Sequence, residues 1–161
     1  MMRLHQLFAT LLVACSATFS GNIVMSNSEI QAVGVTYTFT LNFQTNIPAN
    51  GKIVVRFPAQ FTTSFTTTCV PVSGFTGSSL PCSYQSTTRM MTLTGAFPNT
   101  IKQIKFTAAG ITNPMYVVTT DIFNVQSFIS TGATYTLLET SGNNLKVTTT
   151  PGAITMETLI L

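Results

Sequence analysis

Four acids, seven bases, one histidine and three cysteines are all that this 161-residue sequence offers to acid–base, nucleophilic or metal chemistry. The histidine, His5, falls in the first few residues, inside what reads as a leader, so a histidine-based triad has no place in the rest of the chain. Glu29, Asp121, Glu139 and Glu157 are scattered through strand-like text, the pattern of solvated outward-facing acids rather than of a carboxylate pair gathered in a pocket. No His and Cys cluster has zinc-ligand spacing, and no loop carries the several carboxylates that calcium needs. Gly110, Gly132 and Gly142 stand alone, so no phosphate-cradling loop is present. The expectation is a protein that is not an enzyme and that uses no cofactor, no metal and no small-molecule substrate. Lys52, Lys102, Lys105 and Lys146 leave formal room for a Lys–Asn cross-link of the kind found in some surface fibres, but spacing alone puts no acid beside them.

The cysteines point to a compartment instead. Residues 1–20 have a basic start at Arg3, an apolar run from Leu7 to Ala14 and small residues after it, which is the pattern of a secretory signal peptide. Cleavage after Ala17, with Cys15 at the −3 position, or after Ser20 suits a signal peptidase. Leu12-Val13-Ala14-Cys15 also has the form of a bacterial lipobox, in which Cys15 becomes the lipidated first residue. Removal of the leader leaves Cys69 and Cys82. In an oxidising compartment a pair at this separation reads as a disulfide closing one loop; two free buried thiols are the other reading.

These few reactive groups sit in a chain built for strands. Charged residues make up 7% and apolar residues 45%, and there are 30 threonines. Low charge with high hydropathy is the opposite of a disordered composition. The net charge of +3 comes from scattered bases, without a basic patch for nucleic acid. Period-two alternation is clearest in "YTFTLNF", with Tyr37, Phe39, Leu41 and Phe43 on one face, and again in "KIVVRF", with Ile53, Val55 and Phe57 inward and Lys52, Val54 and Arg56 outward. Turn residues between them predict a hairpin from about Val35 to Phe57. Further strands are expected at "NIVMSNSEIQ", "SYQS", "RMMTLTG", "IKQIKFTA", "VVTTDIFNVQSF", "TYTLLET" and "NLKVTTT". The sum is an all-β, Greek-key two-sheet sandwich of eight or nine strands, with "CVPVSGFTGSSLPC" as an excursion pinned by its cysteines. Tyr37, Tyr84 and Tyr135 lie in strands and read as core; Tyr116, after the "ITNP" turn, is the one plausible exposed aromatic.

The phrases "GVTYTFTLNFQTNIPANGKIVVRFP", the two cysteines, "IKFTAAGITNP", "NVQSFIS" and "KVTTTPGAIT", over roughly residues 21–151, resemble the immunoglobulin-like modules repeated in large secreted and surface proteins of ciliated protozoa. The resemblance implies an immunoglobulin-like sandwich with an extracellular structural role and no catalytic residues. Such arrays hold many modules, whereas this sequence holds one, divided into a leader at 1–20, the sandwich at 21–151 and a C-terminal linking strand at 152–161. Aligning Gly152 with Gly21 sets "GAITMETLIL" over "GNIVMSNSEI", with Gly, Ile and Met identical. That tail, alternating and then apolar, has the form of a guest strand for β-strand addition. The expected contact joins Gly152, Ile154, Met156, Leu159, Ile160 and Leu161 of one subunit to the sheet of the next, in or beside the place of Gly21, Ile23, Met25 and Ile30; the other reading is that the tail folds back as the last strand of its own sandwich. The expected function is therefore a secreted, extracellular or cell-surface structural subunit of a head-to-tail homopolymer. A monomeric adhesion or ligand-binding module acting through its loops is the alternative.

Overall fold

The computed structural model describes residues 17–61, 65–95, 97–142 and 144–152, and within them the chain is all-β. Nine strands follow in order: β1 Ala17–Met25, β2 Val35–Asn42, β3 Lys52–Arg56, β4 Thr68–Ser73, β5 Cys82–Gln85, β6 Met90–Thr94, β7 Gln103–Ile111, β8 Asn124–Ser130 and β9 Tyr135–Ser141. Their ladders form one sheet in the order β4-β7-β2-β1-β9-β8-β3-β6-β5. The two edges of this order, β4 and β5, carry Cys69 and Cys82, which are joined by a disulfide with their Cα atoms 6.0 Å apart. The sheet therefore curls almost into a barrel, and its seam is bridged covalently rather than by a ladder.

One strand makes the sheet continuous. The first three residues of β1, Ala17–Phe19, pair in parallel with Glu139–Ser141 of β9. The next six, Ser20–Met25, pair antiparallel with β2. All other neighbouring strands are antiparallel.

The interior is filled by the alternation that the sequence displays. Tyr37, Phe39 and Leu41 of β2, Ile53 and Val55 of β3, and Ile104, Phe106 and Ala108 of β7 are all fully buried. Phe39 stacks on Phe106 at 4.9 Å, and Phe123 lies within 6.3 Å of Tyr37, Phe39, Phe57 and Phe61. Val54 was expected to face outward, but it too is buried, because β3 is a central strand flanked by β6 and β8.

The predicted hairpin from Val35 to Phe57 does not form. Strand β2 pairs with β1 and β7, whereas β3 pairs with β6 and β8. Residues 43–51 instead cross from one side of the barrel to the other, and they do so with Phe43 and Ile47 buried, so the turn-like "TNIPANG" is tied down by its own apolar residues. Two long expected strands are shortened. In "VVTTDIFNVQSF" only Asn124 onward is strand, and "NLKVTTT" contributes two isolated bridges, Thr148 with Thr119 and Thr150 with Glu29. One strand was missed: the cysteine-bounded excursion contains β4. Pro71 is tolerated there because the strand is an edge with only β7 beside it.

A buried polar chain ties β2 to the "ITNP" turn. The Tyr37 hydroxyl donates to Asn113 Oδ1 at 2.6 Å, and Asn113 Nδ2 donates to the carbonyls of Asn27 and Glu29 at 2.9 and 2.7 Å. Burial holds the Tyr37 phenol far above its ordinary value of 10.0, and burial also raises Tyr84 against a smaller lowering by Arg89. A raised folded-state value means that the unfolded chain loses these protons first, so stability is full below about pH 10 and falls as the pH rises above it. Tyr37→Phe is expected to be less stable at neutral pH, by about 1–3 kcal/mol from the orphaned Asn113 oxygen, and to show a shallower alkaline decline in denaturant midpoint. A second expectation concerns the seam. Replacing both Cys69 and Cys82 by Ser is expected to cost about 3 kcal/mol on the chain-entropy account, read as a lower urea midpoint relative to the oxidised protein.

Candidate subunit interface

The strand register fixes which backbone groups of β1 are free. Ser26 N donates to Thr36 O at 2.9 Å, and in the β1–β2 register residue pairs are offset by steps of one, with Met25 opposite Tyr37. Antiparallel ladders bond at every second residue, so Asn22 and Val24 direct their N–H and C=O to β2 while Gly21, Ile23 and Met25 direct theirs the other way. At the start of β1 that outward side is taken: Phe19 O accepts from Gly142 N at 3.2 Å and Gly21 O from Asn144 Nδ2 at 3.2 Å. At the far end it is taken again, where Thr150 N donates to Ser28 O at 2.8 Å and Ile30 N donates to Thr150 O at 3.0 Å. Between these two points residues 145–149 turn toward 118–123 instead, with Phe123 N bonded to Leu145 O, Thr120 N to Val147 O and Thr149 N to Val118 O. Past Phe19, the β1 ladder therefore has β2 on one side and no strand on the other among the described residues.

The predicted contact residues separate accordingly. Ile23 and Met25 lie on this open edge with their side chains half-buried, Gly21 lies at its start with its carbonyl bonded to Asn144, and the Ile30 amide is already committed to Thr150. Gly152 lies at the end of the described chain, with nothing within 4 Å of where a Cβ would stand. Ile154, Met156, Leu159, Ile160 and Leu161 lie outside the described residues.

The ends of the molecule also differ. At one end lie the start of β1, the 43–51 crossover and the Thr131–Thr134 turn; at the other lie residues 26–34, the "ITNP" turn and the last described residues. The Glu29–Thr150 bridge is parallel, so the chain passes Gly152 heading away from the Gly21–Met25 edge. Around this exit Val33, Met115, Tyr116 and Val117 are exposed, Tyr116 by 55%. Its exposure fits the reading made from the sequence. Tyr135 does not fit the core role expected of it: it is 45% exposed, at the entry end, with Lys52 Nζ 3.9 Å from its ring centroid and 5.0 Å from that of Phe128.

Glu139 is the residue that sequence reasoning placed wrongly. It was grouped with solvated acids, yet it is fully buried. Its carboxylate accepts from Gln44 N at 2.8 Å, from Thr45 N at 2.5 Å and from the Thr45 hydroxyl, fastening the 43–51 crossover to β9. The local pattern carried no signal for it: Glu139 shares its phase with Tyr135 and Leu137, which are exposed, and the opposite row holds Leu138 as well as threonines. Both carboxylate oxygens are occupied by these donors, so Glu139 is a structural clamp. Among the described residues no group of three or more His, Cys, Asp or Glu could hold a metal, and no helix is long and apolar enough to cross a membrane. A shallow depression of about 290 Å³ lies along β4, lined by Val70, Pro71, Val72, Ser73 and Phe75. Set against known proteins, the chain matches no protein-family model and no curated sequence.

The edge geometry makes a proline contrast. At Val24 a proline removes a donor to β2, whereas at Met25 it removes one that points to the open side. Val24→Pro is expected to lower the thermal midpoint by several degrees more than Met25→Pro, measured on both purified variants.

Proposed function

We propose that this protein is a secreted structural subunit that polymerises head-to-tail, the strand at 152–161 of one copy adding to the open edge of β1 in the next. The observation that carries the reading is the side of Ile23–Met25 that has no ladder partner among the described residues, together with the exit of the chain at the opposite end, directed away from it. An unpaired strand edge is a template for another strand. The tail repeats the acceptor's own phase, with Ile154 and Met156 standing where Ile23 and Met25 stand, so its alternate side chains match the half-buried row beside which it would lie. Donor and acceptor surfaces differ, and such a contact repeats without closing into a dimer, which gives a filament or surface coat. Under this reading the protein is extracellular or bound at the cell surface, is not an enzyme and binds no nucleic acid.

The finer architecture belongs to the same proposal. The ladder switches partners within β1 after Phe19, and that switch divides the strands into β1-β2-β7-β4 and β9-β8-β3-β6-β5. Read as two layers sharing one strand, this is an immunoglobulin-like sandwich, in keeping with the resemblance to repeated extracellular modules. The depression along β4, with Val70 and Val72 exposed beside it, favours the second reading, a monomeric adhesion module.

Removing residues 153–161 discriminates between them. Strand donation expects a secreted, folded, monomeric protein by size-exclusion chromatography, and full-length filaments from the truncated chain would refute it. Met25→Pro is expected to give the same monomer, and assembled full-length material is expected to persist in about 1 M NaCl, because ladder bonds and apolar burial are little affected by screening.

A further inference from the structure

Of the three cleavage bonds that the sequence offers, the fold separates the two that suit an ordinary signal peptidase, after Ala17 and after Ser20. Phe19 is 3% exposed, with its ring 4.4 Å from that of Phe43, and its carbonyl accepts from Gly142 N. Together with Thr18 it forms most of the parallel ladder to β9, the ladder that makes the sheet continuous. Cleavage after Ser20 would discard all of this. It would also begin the chain at Gly21, past the whole parallel ladder to β9.

We propose that the leader is removed between Ala17 and Thr18, so that the mature chain begins on Thr18 and keeps Phe19 as a core residue. The step rests on the secretion reading and is an ordinary peptide hydrolysis by a signal peptidase, in which water completes the Ala17 carboxylate and protonates the Thr18 amine. Cys15 and Ala17 supply the small residues at −3 and −1 that such an enzyme reads. Among the described residues the strand starts at Ala17, so cleavage there removes one described ladder position. Ala17 stands opposite Glu139 in the β1–β9 ladder, so the cut falls at the first described pair of that ladder and leaves Thr18 and Phe19 paired with Thr140 and Ser141.

The test is the N-terminus of the full-length protein after secretion, read by mass spectrometry of its first peptide. Thr18 is expected; Gly21, a lipidated Cys15, a retained leader or any other start overturns the proposal. Chains produced directly from Thr18 and from Gly21 give an independent check. Loss of a buried phenylalanine predicts an unfolding equilibrium constant at least about 100-fold larger for the chain starting at Gly21. Equal stability of the two would equally overturn it. Both measurements apply to monomeric and assembled protein alike, so their failure is distinguishable from a failure of strand donation.

Discussion

The ring of Phe123 touches aromatic side chains from opposite sides of the barrel: Tyr37 and Phe39 of β2, and Phe57 and Phe61 that follow β3. Edge-to-face contacts of this kind add to the burial of each ring and fix their mutual angles. Strands β2 and β3 share no ladder, so packing rather than hydrogen bonding sets their relative position. Phe123 is also bonded through its backbone to Leu145, which places the last described segment against the same cluster. The crossover at 43–51, the closure by the disulfide and the course of residues 145–150 all depend on an interior that holds the two sides at a fixed spacing.

What the sequence could convey follows from how local each signal is. Alternation in "YTFTLNF" and "IKQIKFTA" marks a strand with one buried face, and Tyr37, Phe39, Leu41, Ile104, Phe106 and Ala108 are buried accordingly. The pairing partners were less legible. Turn chemistry in "TNIPANG" suggested a hairpin, but a turn constrains only its own few residues, and the burial of Ile47 and the clamp on Gln44 and Thr45 are long-range effects. Strand β4 was hidden because an edge strand with Pro71 and exposed valines carries no clean alternation.

The candidate interface was legible only in part. The repeated phase of Gly21, Ile23 and Met25 in the tail is visible in the text, whereas the open side of those residues depends on where residues 145–149 go. Those residues bond to 118–123, and no local pattern in "NLKVTTT" distinguishes that neighbour from β1. Glu139 shows the converse error, since a scarce acid in a strand reads as surface until the backbone donors that satisfy it are located in a crossover 94 residues away in sequence.

The parallel pairing at the start of β1 and in the loop beyond its end has a mechanical meaning. Ala17–Phe19 runs alongside Glu139–Ser141, and Glu29 alongside Thr150, so the entering and leaving segments lie side by side and point the same way. Tension drawn between the first strand and residue 152 acts along these segments rather than across them. The bonds of β1 to β2 and β9 and those of Thr150 to Ser28 and Ile30 are then loaded together in shear and must fail as a group, whereas a sideways pull would unzip them one at a time. The fold is accordingly stiff along one axis and weak across it.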